Sequence, residues 1–314
     1  MMFGRRLFMT LLAVSPFVKA FANPSSVNAV PLWPAEPPGG GGPAGNAQAN
    51  PNKPVTNVAI PTLRMVRPEK PNGTAVLIAP GGGYRFISEK HEGEAAAKWL
   101  AARGITAFIL TYRLPGEGWM AGPLAPLQDA QRALRMIRFQ AASLGLDEKK
   151  IGCMGFSAGG HLMGMLSTRF QQNSYQPLDT IDTASSRPDF SILAYPVITL
   201  KPPYDHTWTR MMLVGRHPTA EAEAEWSVDA QVKAGDPPFL LVHAKDDPVA
   251  KFPNALIMQA ACEKAGVPVE LIALEKGGHG FGMGLSKMGM SEKDPVVWTP
   301  GLEDWLRKRG LLSL

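Results

Sequence analysis

The sequence predicts an α/β protein, a three-layer αβα sandwich around a mostly parallel central sheet, and three features predict it. Beyond residue 55, apolar runs of four to six residues alternate with longer stretches whose apolar positions recur every three or four residues, the pattern of β-α-β units. The short runs are apolar at nearly every position, not at alternate ones, which fits strands covered by helices on both faces. At 314 residues, 45% apolar and 19% charged, the chain can fill one large core and is too apolar for global disorder.

The N-terminal segment is set apart by composition. Arg5 and Arg6 precede an apolar run, Leu7 to Val18, that ends in Ala20-Phe21-Ala22, an A-x-A cleavage pattern. We read residues 1–22 as a signal peptide. The Arg pair followed by Leu7, Phe8 and Met9, with Lys19 near the cleavage point, is closer to a twin-arginine signal than to a general secretory one. The expected location is therefore periplasmic or secreted. About twelve apolar residues are too few for a membrane span, which needs roughly 20, so no stable membrane insertion is expected.

Without Arg5, Arg6 and Lys19 the 32 basic side chains become 29 against 27 acidic ones, a net charge of +2 with His neutral. That balance does not suggest a nucleic-acid partner. Residues 23–54, with Pro37-Pro38-Gly39-Gly40-Gly41-Gly42-Pro43, form a Pro/Gly-rich linker or surface-wrapping arm. Residues 55–314 are the catalytic domain. The two cysteines, Cys153 and Cys262, are expected as buried thiols.

Expected strands are Ala75–Ala79, Thr106–Thr111, Ile151–Met154, Ser191–Tyr195, Phe239–His243 and Val269–Leu274, each closed by Gly, Pro or polar residues. Expected helices are Glu92–Ala102, Leu127–Ala142, Gly159–Thr168, Asn254–Lys264 and Leu302–Arg309. Sites in open α/β sheets lie beyond the carboxyl ends of the strands, so the loops that follow them carry the argument.

Gly155-Phe156-Ser157-Ala158-Gly159 is a G-x-S-x-G nucleophile elbow between a strand and a helix. Its small residues let the two elements approach closely; a serine there could also serve only as a helix N-cap. Two later loops change the balance. Lys245-Asp246-Asp247-Pro248 and Gly277-Gly278-His279-Gly280 each follow a different strand and complete the chain order Ser, Asp, His of α/β-hydrolases. Asp246 and Asp247 compete for the acid; Asp247 is preferred. His243 is expected to bond to backbone and has no catalytic role.

Pro80-Gly81-Gly82-Gly83-Tyr84 follows Ala75–Ala79, where this fold supplies oxyanion donors. The expected donors are the N–H groups of Gly82, Gly83 and Ala158. No Gly-Lys-Ser/Thr continuation or G-x-G-x-x-G spacing supports a nucleotide, and the six scattered histidines form no metal motif, so no cofactor and no metal are expected. Lys90-His91-Glu92-Gly93 and Tyr204-Asp205-His206 read as a helix cap and a surface turn and stay outside the catalytic set.

From about Pro31 to Leu311 the chain resembles the carbohydrate-esterase α/β-hydrolases of the acetylxylan esterase kind, some of which carry xylanase names. The resemblance rests on Pro31-Leu32-Trp33-Pro34, Pro80-Gly81-Gly82-Gly83-Tyr84, Tyr112-Arg113-Leu114-Pro115, Leu127-Gln128-Asp129-Ala130, Gly155-Phe156-Ser157-Ala158-Gly159-Gly160-His161, Ser186-Arg187-Pro188-Asp189 and Gly278-His279-Gly280-Phe281. It implies a carboxylic ester hydrolase that deacetylates sugars or cell-wall polymers through Ser157, Asp247 and His279. Pro80 departs from the His-Gly-Gly-Gly of many related esterases. The expected substrate is an acylated carbohydrate or another small ester. A serine peptidase of the same fold and a non-catalytic carbohydrate-binding protein are the alternatives, and only the latter would be indifferent to loss of Ser157.

Overall fold

The computed structural model describes residues 29–45, 53–284 and 297–312. The signal peptide expected over 1–22 lies outside the described residues. Among the described residues eight strands form one sheet: β1 (Ala29–Pro31), β2 (Thr62–Val66), β3 (Ala75–Ala79), β4 (Thr106–Thr111), β5 (Ile151–Phe156), β6 (Ser191–Ala194), β7 (Phe239–Ala244) and β8 (Val269–Leu274), in spatial order β1-β2-β4-β3-β5-β6-β7-β8. β1 and β2 pair antiparallel at one edge, and the six strands from β4 to β8 across the sheet run parallel. This is the α/β-hydrolase fold.

Both faces of the inner sheet are covered, which is why β3 to β7 are buried at nearly every position, whereas β8 at the edge carries exposed Glu270. In β3, Ala75, Leu77 and Ala79 face one core and Val76 and Ile78 the other. The first core also holds the helices α2 (Leu124–Phe139), α4 (Ala158–Thr168) and α7 (Pro253–Ala265); the second holds α1 (Ala95–Ala101) and α8 (Thr299–Lys308). Short helices α3 (Ala141–Leu144), α5 (Trp208–Val214) and α6 (Ala220–Glu225) fill connections. Among the described residues no helix is long and apolar enough to cross a membrane.

All six expected strands are present, and boundaries move by one or two residues where they move at all. The helix expected from Glu92 begins earlier, as a π-helical turn over Glu89–Glu94 that leads into α1. The helix expected over Leu127–Ala142 starts at Leu124 and breaks at Gln140, whose φ/ψ of −97°/5° is no longer helical. Cys153 and Cys262 are buried free thiols.

Three of the family motifs meet in one buried cluster. Asp129 of α2 accepts Arg113 Nε at 3.0 Å and Trp33 Nε1 at 2.8 Å, and Gln128 Oε1 accepts Arg113 Nη2 at 2.9 Å. Burial raises the Asp129 carboxyl and the Arg113 charge works against that rise. Arg113 also donates to Pro38 O and Arg132 to Leu32 O, so residues 32–38 lie strapped across α2. Asp189, from a fourth motif, accepts the Ile151 N–H at the start of β5 and an Arg138 donor. These residues build the frame; none of them points to chemistry.

Candidate active site

β3 is the switch point of the sheet, flanked by β4 and β5, and the crossovers leaving it and leaving β5 run on opposite faces. The loops after β3 and β5 therefore meet. Contact is close enough to exclude side chains: a Cβ on Gly159 would lie 2.1 Å from Ala79 O, and one on Gly155 2.1 Å from Gly159 O. Between these glycines Ser157 is held at φ 51°, ψ −117°, a strained conformation for a residue with a side chain. Its N–H bonds to Ala194 O at 3.0 Å. The hydroxyl makes its contact elsewhere.

Ser157 Oγ lies 2.8 Å from His279 Nε2, and His279 Nδ1 lies 2.7 Å from Asp247 Oδ2. Donation from Nδ1–H to the carboxylate leaves Nε2 free to accept the Ser157 proton. The Asp247 side chain is fully buried, whereas His279 keeps 16% exposure. Burial pushes the Asp247 carboxyl up, but hydrogen bonds from His243 and His279 outweigh it and hold it at about 2. Asp246 takes a different task, accepting the Gly278 N–H at 2.8 Å. The geometry thus separates the two acids that compete in the sequence.

His243 requires a correction. Its Nε2 contacts Asp247 Oδ2 at 3.1 Å, a carboxylate in place of the backbone partner expected. The four-residue step from the end of β7 into the following turn folds the acid back over the strand terminus. Glu92 requires another. It does not cap a helix but lies buried within the π-helical turn, with Oε2 accepting the Gly81 N–H at 2.5 Å and Oε1 the Tyr195 hydroxyl at 2.8 Å.

The Gly81–Tyr84 loop is fixed from below. Tyr112 donates its hydroxyl to Pro80 O at 2.7 Å. His161 Nε2 donates to Trp226 O at 2.7 Å, so its Nδ1 accepts the Tyr84 hydroxyl at 3.0 Å, and burial pushes the ring down to about 4, keeping it neutral. Gly82 and Gly83 have φ of 135° and 64°, open to glycine and strained for other residues. Among the described residues the N–H groups of Gly82, Gly83 and Ala158 have no acceptor.

With this geometry in place, comparison with known proteins decides the kinship. The BD-FAE family model matches residues 64–261, more than half of the chain. The chain belongs to the BD-FAE family. An acetylxylan esterase of Xylanibacter ruminicola is 34% identical over 69% of this chain and 43% of its own length, and an endo-1,4-beta-xylanase B of Butyrivibrio fibrisolvens is 37% identical over 66% and 32%. The chain thus spans less than half the length of these curated relatives. An acetyl ester-xyloside bifunctional hydrolase from Caldicellulosiruptor lactoaceticus superposes with a TM-score of 0.74 at 31% identity, covering 91% of this chain and 98% of that one. A thermophilic esterase from Thermogutta terrifontis gives 0.65 at 25% identity, covering 83% and 91%. The expectation of a carboxylic ester hydrolase is supported by relatives in both sequence and structure.

One further side chain stands beside the loops of this BD-FAE protein. Trp208, at the start of α5, is 54% exposed. Its Cβ lies 2.8 Å from where a Cβ on Gly83 would stand, and the Arg85 guanidinium stacks on its ring at 4.0 Å. No sequence pattern marks it, because Trp208 is separated from Gly83 by most of the sheet in chain order.

Proposed function

We propose that the protein hydrolyses short acyl esters, acetyl groups on carbohydrate above all, with Ser157 as nucleophile, His279 as general base and acid, and Asp247 as the carboxylate that orients it. The observation that carries this reading is the pair of contacts on His279, 2.8 Å to Ser157 Oγ and 2.7 Å to Asp247 Oδ2.

As Ser157 Oγ attacks the ester carbonyl carbon, His279 Nε2 takes its proton. The carbonyl oxygen gains the negative charge and meets the N–H groups of Gly82, Gly83 and Ala158. Collapse of the tetrahedral intermediate expels the sugar oxygen, which takes the proton from Nε2. Water then attacks the acyl-serine with His279 again as base, releasing the carboxylic acid and restoring the Ser157 hydroxyl.

The acetyl and sugar assignments draw on the names of the relatives. Between β6 and β7, α5 and α6 have only seven and six residues, too short for the apolar lid that a long-chain lipase uses. The test is hydrolysis of p-nitrophenyl acetate against the octanoate by the wild type and Ser157→Ala. Acetate turnover lost in the variant supports the reading and opens acetylated xylans for assay; turnover unchanged in Ser157→Ala overturns it.

Export through the leader at residues 1–22 belongs to the same proposal. N-terminal sequencing of protein from the periplasm and medium is expected to begin at Asn23. An intact Met1 form confined to the cytoplasm contradicts it.

A further inference from the structure

Glu92 is 4% exposed, and among the described residues its carboxylate has no cationic partner within ion-pair distance. A buried carboxylate without a counter-ion is costly, and here its hydrogen bonds offset part of that cost. Two donors reach it from different parts of the chain: the Gly81 N–H at 2.5 Å, on the loop after β3, and the Tyr195 hydroxyl at 2.8 Å, at the end of β6. Tyr195 oxygen in turn accepts the Gly282 N–H at 3.0 Å, and its ring packs edge-on against His279 and Phe281, with centroids at 5.0 and 4.4 Å. The neighbouring His91 donates Nε2–H to Gly280 O at 2.8 Å. One π-helical turn therefore grips the loop carrying Gly82 and Gly83 and the loop carrying His279.

We propose that Glu92 is a positioning residue: with Tyr195 it ties the oxyanion loop to the histidine loop and so fixes the distance between the groups that stabilise the oxyanion and the base that moves the proton. The inference rests on the esterase reading of the site. By occupying Gly81 N–H, Glu92 also leaves Gly82 and Gly83 as the loop's open donors. Burial raises the Glu92 carboxyl, against the lowering by its bonds to Tyr195 and Gly81.

An amide keeps the Gly81 arm. In Glu92→Gln the amide oxygen accepts from Gly81, and the amide N–H meets Tyr195 oxygen beside the Gly282 N–H only with the Tyr195 hydroxyl proton turned away. Glu92→Ala cuts both arms, and Tyr195→Phe cuts one while keeping the ring against His279. Steady-state kinetics on p-nitrophenyl acetate, for variants with wild-type circular dichroism, are expected to show kcat falling about 10²-fold in Glu92→Ala and about tenfold in Tyr195→Phe, with KM within threefold, and Glu92→Gln retaining most of kcat. Should Glu92→Ala fail to fold, Tyr195→Phe and Glu92→Gln carry the test. Folded variants with wild-type kcat overturn the proposal, as does Glu92→Gln losing as much as Glu92→Ala. Ser157→Ala in the same assay separates the two readings: activity surviving there removes the esterase site, whereas activity lost there but intact in the Glu92 and Tyr195 variants removes only the tether.

Discussion

His243 and His279 hydrogen-bond to the same oxygen, Asp247 Oδ2, at 3.1 and 2.7 Å. Oδ1 takes the N–H groups of Val249 and Ala250, and against the rise from burial the two histidines hold the carboxyl at about 2. A folded value below the unfolded one, near 4, means that ionisation favours the fold: the contribution is fully present above about pH 4 and is lost as pH falls through about 2. His243→Phe removes one donor and keeps an aromatic ring facing Phe252, 5.9 Å away. Urea melts are expected to show a loss of about 1–3 kcal/mol at pH 7, shrinking below about pH 4 as the wild type loses its own advantage. A loss that grows on acidification contradicts this account of the Asp247–His243 contact.

The separation of Asp247 from Asp246 can be read kinetically. In Asp247→Asn the amide N–H₂ faces His279 Nδ1 and selects the wrong tautomer, and kcat on p-nitrophenyl acetate is expected to fall about 10⁴-fold. Among the described residues Asp246 accepts only the Gly278 N–H, which an amide oxygen can still accept, so Asp246→Asn is expected to cost about tenfold or less. The reverse ranking assigns the acid to Asp246.

Gly159 is required by contact. Its missing side chain is the space where α4 meets the end of β3, with Ala79 O and Pro80 O at 2.1 and 2.6 Å from a Cβ. Both are backbone atoms and cannot rotate away. Gly159→Ala must push the helix from the strand, lowering Tm through overpacking worth about 1–3 kcal/mol and shifting Ser157 against Gly82 and Gly83, with kcat down about 10²-fold. An alanine variant with native kcat and Tm rules out this tight packing.

What the sequence makes legible follows from how far each signal reaches. The inner parallel strands are visible because burial on both faces leaves continuous apolar runs such as Ala75–Ala79, and the edge strand β8 is visible from its apolar residues around exposed Glu270. β2 is hidden because Arg64 and Met65 are only half-buried and Leu63 alone is fully enclosed, and β1 is three residues of a Pro-rich segment. Ser157, Asp247 and His279 can be nominated because each follows a strand in a glycine- or proline-marked loop. Glu92 cannot, since its partners Gly81 and Tyr195 are brought together only by the assembled sheet; the small residues Gly93 and Ala95–Ala97 beside it are the nearest local hint of a buried turn. Trp33 is similar: its place depends on Asp129, nearly a hundred residues away.

That dependence yields a prediction for the arm. Asp129 is fully buried between Arg113 and Trp33, and removing it leaves a buried guanidinium without its counter-ion. Asp129→Ala is expected to lower unfolding stability by about 3–5 kcal/mol in urea. Because Arg113 also holds Pro38 O, limited proteolysis should cut within residues 29–45 faster than elsewhere in the variant. Uniform cleavage along the chain argues that the arm is not held through this cluster.

The substrate side of the site is best probed at Trp208. Its indole is more than half exposed, one face carries Arg85, and its Cβ abuts the Gly83 backbone. A flat apolar surface beside the oxyanion loop can pack against the C–H face of a pyranose, whereas p-nitrophenyl acetate has no sugar to place there. Trp208→Ala is expected to lower kcat/KM on acetylated xylo-oligosaccharides about fivefold, as loss of a ring contact of roughly 1 kcal/mol implies, and by a smaller factor on p-nitrophenyl acetate. The ratio of the two losses carries the meaning. Equal losses assign Trp208 to supporting Gly83, because a displaced oxyanion donor slows every ester alike; a loss confined to the sugar esters assigns it to the leaving group, since only that part of the substrate distinguishes the two.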